Sequence, residues 1–285
     1  MIGYNKLGSN GRLGNQMFQY AALRGIAAKR GYDWVIPPDT YDHDSNYGLF
    51  ETFEMSGVEE KNLGFVDNKF VKESNHSFDK NIFENCPDNV SIDGYFQTEK
   101  YFSHISDNIR KDFTFKDDYL KPCKEIIDSL DEDPIFIHIR RSDAIGREEY
   151  HPILRLDYFE ESLKNWSDDT PVFVFTDDIE WCKQKEFFKQ DRFLFNESNQ
   201  RYQYKTIDGL GKPQNTLLPQ VDLCLMSLCS GAIIANSSFS WWGAWMQNDR
   251  GTIICPDPKN WFGHKLSYLD TCDIIPNRWK IQKTN

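Results

Sequence analysis

Short apolar runs, each closed by a polar or glycine-bearing loop, alternate along this chain with stretches whose apolar residues recur at helical spacing. That alternation predicts an α/β protein built on parallel sheet. Ile2 to Leu7 reads as a strand, Gly8 to Asn15 as a loop, and Gln16 to Arg30 as a helix whose apolar positions are Met17, Tyr20, Ala21, Leu23, Ala27 and Ala28. Gly31 is its expected stop. From Asp39 to about Cys86 the period dissolves into Asn, Asp, Ser and Phe, which predicts irregular structure and short helices. A strand is expected at Val90 to Tyr95, with helices at Thr98 to Phe113 and Tyr119 to Leu130.

The segment Asp131-Glu-Asp-Pro134 breaks the periodicity, so the chain is expected to divide into domains 1–131 and 132–285. Beyond it, strands are predicted at Ile135 to Ile139, Pro171 to Thr176, Arg192 to Phe195, Gly231 to Ala235 and Thr252 to Cys255. Helices are predicted at Leu156 to Trp166, from Asp177 to about Lys189, at Pro219 to Leu228 and at Phe239 to Gln247. Asn196 to Gln214 reads as a polar stretch.

Charge narrows the partners. With 33 Lys and Arg against 44 Asp and Glu the net charge is −11, which argues against a general nucleic-acid surface. The seven cysteines are odd in number, lack a C-x-x-C pair and sit mostly in apolar runs, as buried thiols of a reducing compartment do. No membrane span or signal peptide is evident. A cytoplasmic protein is expected, and peripheral membrane contact is compatible with this reading.

Against that acidic background the positive charge at Arg140 and Arg141 is local. Both follow the apolar run Ile135 to Ile139, at the edge where open α/β sheets place ligands. Guanidinium is permanently charged and forks onto two oxygens, so it suits a diphosphate. A surface ion pair with Asp143 is the plainer alternative. Two more strand ends carry polar residues, Thr176 to Asp178 and Asn236 to Ser238. Ser237 and Ser238 serve equally as a helix cap or a phosphate cradle. Asp177 and Asp178 suit a helix dipole, or a ribose or base edge. The loop Gly11-Arg-Leu-Gly-Asn15 fits neither the Rossmann fingerprint nor the P-loop, leaving Arg12 and Asn15 as donors beside a glycine turn.

Three ordered segments, Gly11-Arg-Leu-Gly-Asn-Gln-Met-Phe-Gln-Tyr-Ala21, His138-Ile-Arg-Arg-Ser-Asp143 and Asn236-Ser-Ser-Phe-Ser-Trp-Trp-Gly-Ala-Trp245, together resemble the α-1,2-fucosyltransferases of glycosyltransferase family 11. The resemblance implies a GT-B-like architecture of two Rossmann-like domains with the active site between them. It also implies transfer of L-fucose from GDP-L-fucose to a galactose 2-hydroxyl, with inversion and with neither cofactor nor bound metal. From related fucosyltransferases it assigns Arg140 to the β-phosphate and His138 to the guanine side. Ser237 and Ser238 match their serine pair, and Asp222 their guanine-reading aspartate. Asp177 and Asn236 fall on the same nucleotide side, and Arg12 and Asn15 are assigned to the reaction centre. After the strand, Arg-Arg-Ser-Asp-Ala-Ile-Gly-Arg-Glu148 is similar to the core α-1,6-fucosyltransferases, so Glu148 competes with Asp143 as base and the linkage stays open to an α-1,6-like outcome.

Two rivals remain. The D-x-D triplets Asp131-Glu132-Asp133 and Asp42-His43-Asp44 would suit a metal-dependent GT-A enzyme. The Trp241-Trp242 and Trp261 segments would suit a glycan-binding module without catalysis.

Overall fold

The computed structural model of this 285-residue chain describes residues 1–40, 47–195, 204–207, 213–216 and 218–283. Its contacts resolve into two compact units, Met1–Lys116 with Lys265–Arg278, and Asp117–His264 with Trp279–Asn285.

The first unit holds a parallel sheet of β1 (Ile2–Gly3), β2 (Trp34–Val35), β3 (Phe70–Lys72) and β4 (Val90–Asp93), in the order β2-β1-β4-β3. Around it lie α1 (Leu13–Arg30), α2 (Leu49–Thr52), α3 (Lys80–Asn85) and α4 (Ser106–Asp112). Helix α1 buries Met17, Tyr20, Ala21 and Leu23 completely. It ends as expected, with Gly31 left-handed (φ 66°) and its N–H on the Ala27 and Ala28 carbonyls. Strand β1 is shorter than its apolar pattern predicts. Asn5 cross-links to Val66, donating from Nδ2 to its carbonyl (2.9 Å) and accepting its N–H on Oδ1 (3.1 Å), and this draws the chain out of the sheet. The helix expected from Thr98 to Phe113 is instead two 3₁₀ turns followed by α4, because Phe102 takes a non-helical conformation (φ −134°, ψ 2°) between them.

The second unit carries α5 (Asp117–Asp128), β5 (Ile135–Ile139), α6 (Leu156–Leu163), β6 (Val172–Thr176), α7 (Ile179–Lys183), β7 (Phe193–Phe195), β8 (Tyr204–Ile207), β9 (Pro213–Thr216), α8 (Pro219–Leu228), β10 (Ala232–Ile233), α9 (Ser238–Trp245), β11 (Ile253–Pro256) and β12 (Lys280–Gln282). Six strands form a parallel sheet in the order β12-β11-β10-β5-β6-β7, and β8 and β9 pair as an antiparallel hairpin. On one face Ile135, Ile137, Ile139, Val172 and Val174 pack with Tyr158, Phe159 and Leu163 of α6 in one apolar cluster. Trp241 and Trp242 of α9 are fully buried, and Trp261 is 3% exposed. These tryptophans fill the core and do not form the exposed platform that a glycan-binding module needs.

The division lies between Lys116 and Asp117 rather than at residue 131. Helix α5 packs on α8, where the Cys123 thiol donates to the Val221 carbonyl at 3.8 Å, and that packing draws it into the second unit. Residues 265–278 return to the first unit, where Asp273 accepts the Phe78 N–H at 3.0 Å and Arg278 pairs with Glu99 at 2.6 Å.

Candidate active site

Parallel register brings the polar strand ends of the second unit together. Ile139 pairs with Thr176, and Ile137 with Ile233, so the segments after β5, β6 and β10 leave the sheet on one edge.

Arg140 is held there in a defined pose. Its Nε and Nη2 fork onto the two oxygens of Asp143, both at 2.9 Å, and Nη1 reaches the Asn236 carbonyl at 3.4 Å. A guanidinium has five N–H donors, so this pose leaves two of them for an anion. Asp143 is correspondingly engaged through both oxygens. Asn236, 4% exposed, fixes the neighbourhood from its other end: its Nδ2 donates to the Pro152 carbonyl (3.0 Å) and the Trp261 carbonyl (3.2 Å), tying two loops to the strand.

Arg141 is different in kind. Its guanidinium lies 4.0 Å over the Trp181 ring, and its Nε pairs with Asp178 at 3.2 Å. Asp178 also caps α7 by accepting the Trp181 N–H (3.2 Å). Asp177 accepts the backbone N–H groups of Arg141 (2.8 Å) and Ser142 (3.1 Å), one on each oxygen, and thereby shapes the turn that aims Arg140. Both aspartates are committed to the protein.

His138, half-buried near the end of β5, has a sealed Nδ1 with no hydrogen-bond partner, and its ring centroid lies 6.0 Å from that of Phe239. Burial pushes its pKa down to about 4, so the ring is neutral at physiological pH. A buried polar atom without a partner costs about 1–3 kcal/mol, which is tolerable where a ligand supplies the partner. Ser237 caps α9, its Oγ accepting the Phe239 N–H at 3.3 Å, and Ser238 opens the helix beside it. Asp222 lies in the first turn of α8, half-buried. That helix leads into β10, so its start faces the same sheet edge.

Glu148 is exposed and accepts the Gly146 N–H at 3.1 Å. Backbone hydrogen bonds, first from its own N–H and then from Gly146, hold its pKa below the ordinary glutamate value, so it is ionised at neutral pH. Gly263 presses on this segment from behind. Its N–H donates to the Tyr150 carbonyl at 2.9 Å, and a Cβ at 263 would overlap the Glu149 carbonyl and lie 2.6 Å from that of Glu148. The sequence reading missed His151, which the fields of Arg140, Asp143 and Arg147 reach and whose ring packs near Phe262 (6.0 Å). A lone histidine eleven positions beyond the strand carries no pattern to find it by.

Arg12 and Asn15 belong to the first unit. Arg12 is exposed at the N-cap of α1, and Asn15 lies one turn into the helix with its Oδ1 accepting from Gln97 Nε2 at 2.8 Å. Among the described residues no group of three or more His, Cys, Asp or Glu is placed to hold a metal ion, and no helix is long and apolar enough to cross a membrane. Asp131-Glu132-Asp133 is an exposed loop, and 42–44 lies outside the described residues.

Residues 1–268 match the model of glycosyl transferase family 11. The chain is 33% identical to an α-1,2-colitosyltransferase of Escherichia coli, over 96% of this chain and 97% of that one. It is 23% identical to human galactoside α-(1,2)-fucosyltransferase 1, over 83% of this chain and 64% of the relative. In fold it is similar to the α-1,6-fucosyltransferase NodZ, in a crystal structure soaked with GDP-fucose, with a TM-score of 0.53 at 15% identity, covering 91% of this chain and 95% of NodZ. The two parallel-sheet units are thus those of a GT-B-like glycosyltransferase fold, and the chain belongs to glycosyl transferase family 11.

Proposed function

We propose that this protein transfers L-fucose from GDP-L-fucose to the 2-hydroxyl of a terminal galactoside, with inversion. The observation that carries the reading is the Arg140 pose, a guanidinium held by Asp143 and by the Asn236 carbonyl with two N–H donors left over at the sheet edge. In this reading the second unit holds the nucleotide and the first serves the acceptor.

As the acceptor hydroxyl attacks the anomeric carbon, the glycosidic C–O bond to GDP breaks and negative charge grows on the β-phosphate. Arg140, Arg12 and the amides at the start of α9 meet that charge. His138 Nδ1 and Asp222 lie on the guanine side, and Ser237 and Ser238 on the phosphate side. Asp177 shapes the turn that carries Arg140. Asp143 holds the arginine, and Glu148, ionised and exposed, takes the hydroxyl proton. The account needs no metal and no cofactor.

A second donor is favoured by one observation, the 33% identity to a colitosyltransferase. Colitose is L-fucose without its 3-hydroxyl, so the same diphosphate machinery would serve both. Incubating the protein with GDP-L-fucose or GDP-colitose and a β-galactoside, in the presence and absence of EDTA, separates the readings. Transfer from GDP-fucose is expected, and transfer from GDP-colitose alone would reassign the donor. Transfer lost on EDTA treatment and restored by a divalent cation would return the metal-dependent alternative. An α-1,6 bond in the product would return the linkage suggested by the Glu148 segment.

A further inference from the structure

His76 and Gln97 are buried polar side chains of the first unit, each 6% exposed, and neither has a part in the chemistry above. They form a hydrogen-bonded line that ends on Asn15. Gln97 Nε2 donates to Asn15 Oδ1 at 2.8 Å, and His76 Nε2 lies 3.3 Å from Gln97 Oε1. Burial lowers the His76 pKa, so the ring is neutral and carries its proton on the nitrogen that faces the glutamine oxygen. His76 is fixed in turn, its backbone N–H on Asn75 Oδ1 (2.7 Å) and its ring 5.7 Å from that of Tyr95.

The consequence falls on the asparagine. A primary amide has one accepting end and one donating end, so an Oδ1 already taken by Gln97 leaves Nδ2 as the end offered outward. Among the described residues no group accepts from Nδ2. The glycine turn is shaped for the same pose: Gly11 is left-handed (φ 84°), and a Cβ there would overlap Asn15 Nδ2. An apolar pair at 76 and 97 would fill this space without desolvating two polar groups, so packing alone does not account for the line.

We propose that His76 and Gln97 are positioning residues that lock the Asn15 amide with its NH₂ group presented to the substrate. The inference rests on the reading that places Asn15 at the reaction centre. It assigns Gln97 a polarity as well as a shape, since a glutamate there can only accept and would turn Asn15 so that its oxygen faces outward.

The test is a double-mutant cycle on the full chain, with turnover measured at saturating donor and acceptor and melting temperature followed alongside. Gln97→Leu is expected to lower kcat by roughly 10²-fold, the scale of a misplaced reacting group. Gln97→Glu should do the same while preserving the shape of the site. In the Asn15→Ala background Gln97→Leu should add no loss, because the group it positions is gone. Gln97→Leu or Gln97→Glu with wild-type kcat, or losses that multiply in the double variant, would overturn the inference. Asn15→Ala with full turnover would instead remove the reading beneath it.

Discussion

Arg140 and Arg141 are adjacent, equally charged and opposite in use. One is braced by a carboxylate and a carbonyl with donors to spare, and the other is spent on Trp181 and Asp178. Arg140→Ala should therefore lower kcat about 10² to 10³-fold with little change in melting temperature. Arg140→Lys should recover little, since an ammonium cannot span both Asp143 oxygens. Arg141→Ala should do the reverse, costing about 1–2 kcal/mol of stability in denaturant melts through the lost stacking and ion pair, and swapped phenotypes would contradict the assignment. His138 adds a pH signature. Its ordinary pKa of 6.5 falls to about 4 through burial, so the unfolded chain takes up a proton that the folded one refuses. Stability should be complete above pH 6.5 and decline as pH falls toward 4, by on the order of 3 kcal/mol. Glu73, raised to about 7 by burial, slopes the other way, so the readout is a difference between two proteins. Melting curves from pH 7.5 to pH 5 should fall more steeply for the wild type than for His138→Asn, and parallel curves would refute the sealed histidine.

Elements with a strong period were legible in the sequence, and those held by single polar contacts were not. Helix α8 and strand β5 span the residues their patterns predict, and β6 and α1 differ from expectation only at their first residues. The three-residue strands β3 and β12 are too short to show alternation, and each is defined by a parallel neighbour far along the chain. The candidate site divides by the same rule. Arg140, Asp143 and Ser237 stand in local motifs, whereas Asp177 is a backbone clamp only because β6 lies beside β5. The loop contact at Gly263 was equally hidden. Gly263→Ala must push the Glu148–Glu149 backbone away, so kcat should fall about 10²-fold, and in the Glu148→Gln background the same change should cost little. A full additional loss there would show that Gly263 does not act through Glu148.

For the whole molecule, the acidic charge argues against a nucleic-acid surface, the buried tryptophans argue against an exposed glycan platform, and the two parallel sheets agree with a GT-B-like fold. The boundary read from a proline and three acids differs from the division of the contacts because the packing of α5 on α8, and the return of residues 265–278 to the first unit, are tertiary contacts that leave no mark in local composition. The central claim is that the Arg140 edge receives the diphosphate of a fucose donor while an acceptor galactose is modified at its 2-hydroxyl. The most direct test is incubation of the wild type and Arg140→Ala with GDP-L-fucose and a β-galactoside, followed by linkage analysis of the product. The account predicts an α-1,2-linked fucosyl galactoside from the wild type and about 10² to 10³-fold less from the variant. A different linkage, or equal yields from the two proteins, would contradict it.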